Sequence, residues 1–144
     1  MTGVVAENLR VDPDLRMAVF SSWYDQIMGD IFLQLPPGDF ARELEVETEL
    51  LRAAYPDRYR RFVIDGRMHT TLLGDPSGIL GSDLGSVEVP ASVLASLAEI
   101  ELGSLSTTTS ADGRRVADWL AAFANEDPAW EDVRDEPGPA PEAR

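Results

Sequence analysis

The chain has 144 residues, 26 acidic against 12 basic side chains, a net charge of −14, and 44% apolar residues. That is one ordinary domain at most, with enough apolar material for a core, so wholesale disorder is excluded. The charge repels phosphate backbones and anionic headgroups, so neither nucleic acid nor an anionic membrane surface is expected as a partner.

Residues Met1 to Asp14 are mixed and end in Val11-Asp12-Pro13-Asp14, where proline predicts an extended or turn connection. Met1 to Arg10 lacks a charged stretch followed by an apolar run, so no signal peptide is expected there. No run of 18 apolar residues occurs, so no membrane span is expected. Leu15 to Ser21 is short, apolar and bounded by polar residues, as a buried strand of a parallel sheet requires. Ser22-Trp23-Tyr24-Asp25 is then a loop at its carboxyl end. Ile27, Met28, Ile31, Phe32 and Leu35 have helical spacing and predict a helix that Pro36-Pro37-Gly38 stops.

A second helix is expected over Asp39 to Ala54, with Asp39 as N-cap and Phe40, Leu44, Leu51 and Ala54 on one face. Tyr59 to Ile64 is the second strand, followed by an Asp65-Gly66 turn and a loop carrying His69. The order is strand, acidic loop, two helices, strand, histidine loop. That is a βαβ unit, which makes the two strands parallel. Leu72 to Val89 and Gly103 to Gly113 are expected as loops, with a helix between them over Ala91 to Leu102. Val116, Trp119, Leu120 and Phe123 recur at i, i+3, i+4 and i+7, the cleanest amphipathic helix in the chain. Residues 134–144 carry three prolines and several acids, and are expected to form a solvated, disordered tail.

The residue inventory narrows the chemistry. With no cysteine, there can be no disulfide, thiol nucleophile or cysteine-held metal. All twelve basic residues are arginine, which removes lysine Schiff bases and P-loop lysines. His69 is the one histidine, so any imidazole chemistry must use it. No metal constellation and no cofactor motif is recognisable.

In open parallel sheets ligands bind at the carboxyl ends of strands. Asp25 and His69 both follow strand ends. If those strands are neighbours, a carboxylate and an imidazole rise on one edge as the orienting half of a nucleophilic triad. Acid before histidine is the α/β-hydrolase order. The nucleophile is missing: no G-x-S-x-G occurs, and Gly81-Ser82-Asp83-Leu84-Gly85 has its serine misplaced and follows the histidine.

Three stretches carry a family resemblance. Val19-Phe20-Ser21-Ser22-Trp23-Tyr24-Asp25-Gln26 resembles the acid-bearing segment of the pectinacetylesterase family, a group of α/β-hydrolases that includes Notum-type carboxylesterases. Tyr59 to Leu73 resembles that family's last core strand running into its histidine loop. Val116 to Phe123, followed by Asp127 to Val133, is similar to its closing helix and tail. The resemblance implies an α/β fold of short parallel strands flanked by helices, as the C-terminal part (residues 1–133) of an α/β-hydrolase. It implies serine carboxylesterase chemistry with Asp25 as triad acid and His69 as general base. It further implies an ester-bearing substrate, carbohydrate or another acylated molecule. The nucleophile would then come from an upstream segment or chain, so this stretch alone is expected to be inactive. Family members are often exported, which leaves the compartment open here.

Each of these residues has a plainer reading. Asp25 could cap the following helix, with Asp30 and Asp65 as substitute acids. Trp23 and Tyr24 could line a substrate pocket or pack in the core. Arg58, Arg60, Arg61 and Arg67 could hold an acidic substrate or pair with neighbouring acids. The whole chain could instead be a non-catalytic acidic domain binding a basic partner, or a minimal hydrolase using one of its own serines.

Overall fold

The computed structural model describes residues 2–71 and 102–142. In chain order its elements are helix α1 (Thr2–Val11), strand β1 (Met17–Ser22), a π-helical segment (Ile27–Leu33), helix α2 (Pro37–Ala54), strands β2 (Tyr59–Ile64), β3 (His69–Thr71) and β4 (Leu102–Ser104), helix α3 (Val116–Ala124) and strand β5 (Val133–Arg134). The expected loop over Leu72–Val89, and the expected helix over Ala91–Leu102 up to Leu102 itself, lie outside the described residues.

Strand β2 is the centre of a parallel sheet ordered β1-β2-β5. Its register with β1 runs from Met17 opposite Tyr59 to Ser22 opposite Ile64. The βαβ order thus gives the mixed α/β fold with parallel strands and flanking helices. A strand paired on both edges and covered on both faces must be apolar almost throughout. Tyr-Arg-Arg-Phe-Val-Ile fits, once its two arginines are accounted for.

Alternation along β2 sends Phe62 and Ile64 to one face, where they pack with Val116 and Trp119 of α3, Trp130 and Val133. The rings of Phe20, Phe62 and Trp119 meet edge to face, with centroids 5.5 and 5.4 Å apart. On this face Arg60 lies over the Trp130 ring, at 5.4 Å. The opposite face presents Tyr59, Arg61 and Val63 to α1, α2 and the Trp23-Tyr24 turn. Arg61 is 5% exposed. Its guanidinium meets Glu45 at 3.3 Å and Glu49 at 3.0 Å and donates to Thr48 Oγ1 at 2.8 Å. The stripe of α2 facing the sheet is polar at this level because β2 offers it a cation to neutralise.

One stretch left open by the sequence is defined and three local expectations are corrected. First, residues before Asp12 form α1, whose Leu9 is fully buried with Leu51 and Tyr59. One anchoring leucine among exposed Val4 and Val11 leaves little helical periodicity to read. Second, the helix after Asp25 is π-wound, and its turn is wider than the apolar spacing assumes. Ile31 and Leu33 are consequently half exposed and Phe32 is 70% exposed, while Gly29 is buried. A Cβ on Gly29 would stand 3.2 Å from the Phe40 ring, so glycine lets α2 approach. Third, α2 begins at Pro37, whose fixed φ suits a first turn, and Asp39 pairs with Arg42 at 3.0 Å instead of capping. Fourth, residues 134–138, expected in a solvated tail, pack on the sheet. Arg134 continues β5, Asp135 N–H donates to the Val63 carbonyl (2.9 Å), and Gly138 N–H donates to Asp65 Oδ1 (2.9 Å).

The buried Tyr59 hydroxyl adds an alkaline signature. Burial raises its pKa to about 12, with the Asp132 carboxylate adding to the rise and Arg61 opposing it. The folded state therefore holds this proton more tightly than the unfolded chain, whose tyrosine titrates near pH 10. Stability from this group is intact below pH 10 and falls as pH rises from 10 to 12, by roughly 2–3 kcal/mol. Urea titrations at pH 9 and pH 11.5 should show the loss in the parent and a smaller one in Tyr59→Phe. Equal losses would place the alkaline sensitivity elsewhere.

Candidate functional site

The site stands at the carboxyl edge of the parallel sheet, where β1 and β2 release their chains side by side. The two loops stay stitched together beyond the strands. Trp23 N–H donates to the Ile64 carbonyl (2.9 Å), Tyr24 N–H to Gly66 (3.0 Å) and Gln26 N–H to Arg67 (3.4 Å). Gly66 takes φ +104°, a conformation open to glycine and strained for other residues. That turn reverses the β2 exit over the β1 exit and brings His69 back above Asp25.

Asp25 and His69 are in contact. His69 Nδ1 lies 2.9 Å from Oδ1 and 3.0 Å from Oδ2 of Asp25. The carboxylate is buried, its side chain 4% exposed, whereas the imidazole keeps 24% of its surface open. A buried carboxylate must be well partnered, and Oδ1 also accepts the Met28 N–H at 2.9 Å. Asp25 therefore caps the π-helical segment and faces the histidine at once; the two readings are not exclusive. With the carboxylate on Nδ1, a neutral imidazole carries its proton there, and Nε2 holds the lone pair.

His69 does not sit in a loop. It opens the short strand β3, which pairs in parallel with β4, His69 opposite Leu102 and Thr70 opposite Gly103. Two contacts fix the residue just before it. Ser22 Oγ, at the end of β1, donates to the Met68 carbonyl (2.7 Å). The Met68 side chain lies over Gly103, where a Cβ would fall 1.9 Å from its sulfur and 3.1 Å from Thr108 Oγ1. Gly103→Ala is thus expected to push Met68 aside and to cost about 1–3 kcal/mol by overpacking, measured by urea unfolding. A variant within 0.5 kcal/mol of the parent, on the scale of an ordinary surface change, would contradict this packing.

Trp23 and Tyr24 serve the C-terminal segment. Trp23 Nε1 donates to the Asp135 carbonyl (2.7 Å), and the Tyr24 hydroxyl donates to the Gly138 carbonyl (2.5 Å). They border a cavity of about 210 Å³ with Gly38, Ala41, Arg42, Glu45, Arg134 and Pro137. Neither Asp25 nor His69 lines it. Among the described residues, the hydrogen bonds of the Trp23 and Tyr24 side chains run to the C-terminal segment.

The other candidates are engaged elsewhere. Asp30 faces Arg67 at 3.5 Å, and Asp65 holds Gly138. Arg58 donates to the carbonyls of Asp12 and Pro13, and Arg60 donates to that of Pro56. With Arg61 buried in its own ion pairs, the four arginines form no common surface for an acidic substrate. Ser22 is the site residue that sequence reasoning missed. A serine ending a strand is ordinary, and its partner lies 46 residues away.

Compared with models of protein families, with curated proteins and with solved structures, the chain shows no significant match.

Proposed function

We propose that this chain supplies the acid and the base of a Ser-His-Asp triad in a carboxylic ester hydrolase of pectinacetylesterase type. The observation that supports this is the contact of a buried carboxylate with Nδ1 of the one histidine, at the carboxyl edge of parallel strands. Asp25 holds the Nδ1–H tautomer and stabilises the imidazolium. His69 Nε2 takes the proton from the serine hydroxyl as its oxygen attacks the ester carbonyl. The same nitrogen then returns the proton to the departing alcohol oxygen. Water repeats the cycle on the acyl-enzyme. The serine and the groups that hold the oxyanion are assigned to a segment outside these 144 residues, since no G-x-S-x-G lies within them. The substrate class is an acyl ester, acetylated carbohydrate first.

The experiment uses the protein expressed from its whole reading frame with p-nitrophenyl acetate as substrate. His69→Ala is expected to lower kcat by about 10³-fold or more. Turnover within about tenfold of the parent would remove His69 from the mechanism. Background turnover in the parent itself would instead favour the second reading, an acidic domain motivated by the charge of −14. That domain would bind a basic partner with an affinity that falls with salt.

A further inference from the structure

The acid reaches the histidine from one strand end, and the same strand end holds the histidine's backbone. Ser22 is fully buried at 0% exposure, and its hydroxyl donates to the carbonyl of Met68, the residue immediately before His69. Three residues further along the same chain, Asp25 receives the imidazole. The backbone bonds between the two loops end at Arg67, so Met68 and His69 lie beyond the stitched region. A tether there decides where the imidazole falls. We infer that Ser22 is a positioning residue, a latch that sets His69 Nδ1 against the Asp25 carboxylate. It touches no reacting atom and acts only through the Met68 carbonyl.

The physical case rests on burial. A hydroxyl shut away from water must find an acceptor, and for Ser22 that acceptor is the part-buried Met68 carbonyl. With alanine at position 22, the Met68 peptide loses its tether to β1. Its remaining restraints are then the β3–β4 pairing that begins one residue later and the packing of its side chain over Gly103, beside Thr108 and against the Phe62 cluster. The imidazole gains a range of positions, and the fraction of time spent on the carboxylate falls. Ser21 supplies the internal comparison. It is also buried, yet its hydroxyl bonds to the neighbouring Ser22 carbonyl at 3.2 Å and reaches nothing in the histidine segment.

The inference deepens the esterase reading, because it names what aims that reading's base, but its test needs no turnover. His69 is the one histidine, so its imidazole signals in a ¹H–¹⁵N spectrum are assigned by default. The measured quantity is the solvent-exchange rate of the Nδ1 proton, slowed by its bond to Asp25, in the parent, Ser22→Ala and Ser21→Ala. Exchange is expected to quicken about tenfold in Ser22→Ala, the factor an ordinary net hydrogen bond is worth. It is expected to stay within about twofold of the parent in Ser21→Ala, where no bond to the histidine segment is lost. A purely structural role for Ser22 predicts equal effects in the two variants, and that result overturns the latch. So does a Ser22→Ala spectrum matching the parent. If Ser22→Ala does not stay folded, Ser22→Cys keeps the volume with a weak donor and should give an intermediate rate; the parent's rate there overturns the proposal. A parent proton that exchanges slowly, and faster in Ser22→Ala, upholds the latch even if His69→Ala leaves ester turnover intact, which would sink the esterase reading alone.

Discussion

Asp25→Asn is expected to leave the fold standing and to lower ester turnover of the whole protein by about 10⁴-fold. The two consequences separate because the carboxylate does two jobs with different needs. Capping the Met28 N–H requires one oxygen, and asparagine keeps one. With that oxygen on Met28, the new NH₂ group takes the place of Oδ2, which lies 3.0 Å from His69 Nδ1. A donor there competes with the retained Oδ1, itself 2.9 Å from Nδ1, so the Nδ1–H tautomer is no longer held and the imidazole proton shifts toward Nε2. Where it sits on Nε2 the base has no lone pair for the nucleophile's proton, and the charge that steadied the imidazolium is gone. Steady-state kinetics with p-nitrophenyl acetate, alongside a thermal melt, checks both halves. A folded Asp25→Asn with turnover within about tenfold of the parent would show that the carboxylate acts as a helix cap and nothing more.

Trp119→Ala is expected to cost about 3–5 kcal/mol, the largest loss of stability from any single change considered. The indole joins α3 to β2 through the Phe62 ring and to the C-terminal segment through Trp130, its centroid 5.4 and 6.2 Å from theirs. Its Nε1 donates to the Glu131 carbonyl at 2.7 Å, so truncation opens a cavity and removes a hydrogen bond together. Against a typical total of about 5–15 kcal/mol the variant should melt roughly 10 °C or more below the parent. A loss under about 1 kcal/mol would mean that α3 is not anchored by this side chain.

What could be read from the sequence was what local pattern determines. Tyr59 to Ile64 needed only an apolar run between turn signals, and it is β2 residue for residue. Val116, Trp119, Leu120 and Phe123 needed only a period, and α3 carries them. The meeting of Asp25 with His69 followed from topology, because a βαβ unit sets both on the same sheet edge. The rest depends on distant contacts that leave no periodic mark. Strand β3 exists through its pairing with β4, more than 30 residues on. The C-terminal segment is polar and proline-rich, yet Trp23 and Tyr24 hold it by its carbonyls, which composition does not reveal. The π winding after Asp25 turns Phe32 outward although its spacing suits an α-helical core face. Arg61 looked like part of a surface cation cluster, and only the approach of α2 reveals the acids that bury it.

The ¹⁵N chemical shifts of the neutral His69 ring probe the acid–base pair most directly. In the parent they should report a proton on Nδ1 and an unprotonated Nε2. In Asp25→Asn the proton should shift from Nδ1 toward Nε2. A parent whose imidazole samples both tautomers as a free side chain does, with no response to position 25, would contradict the account.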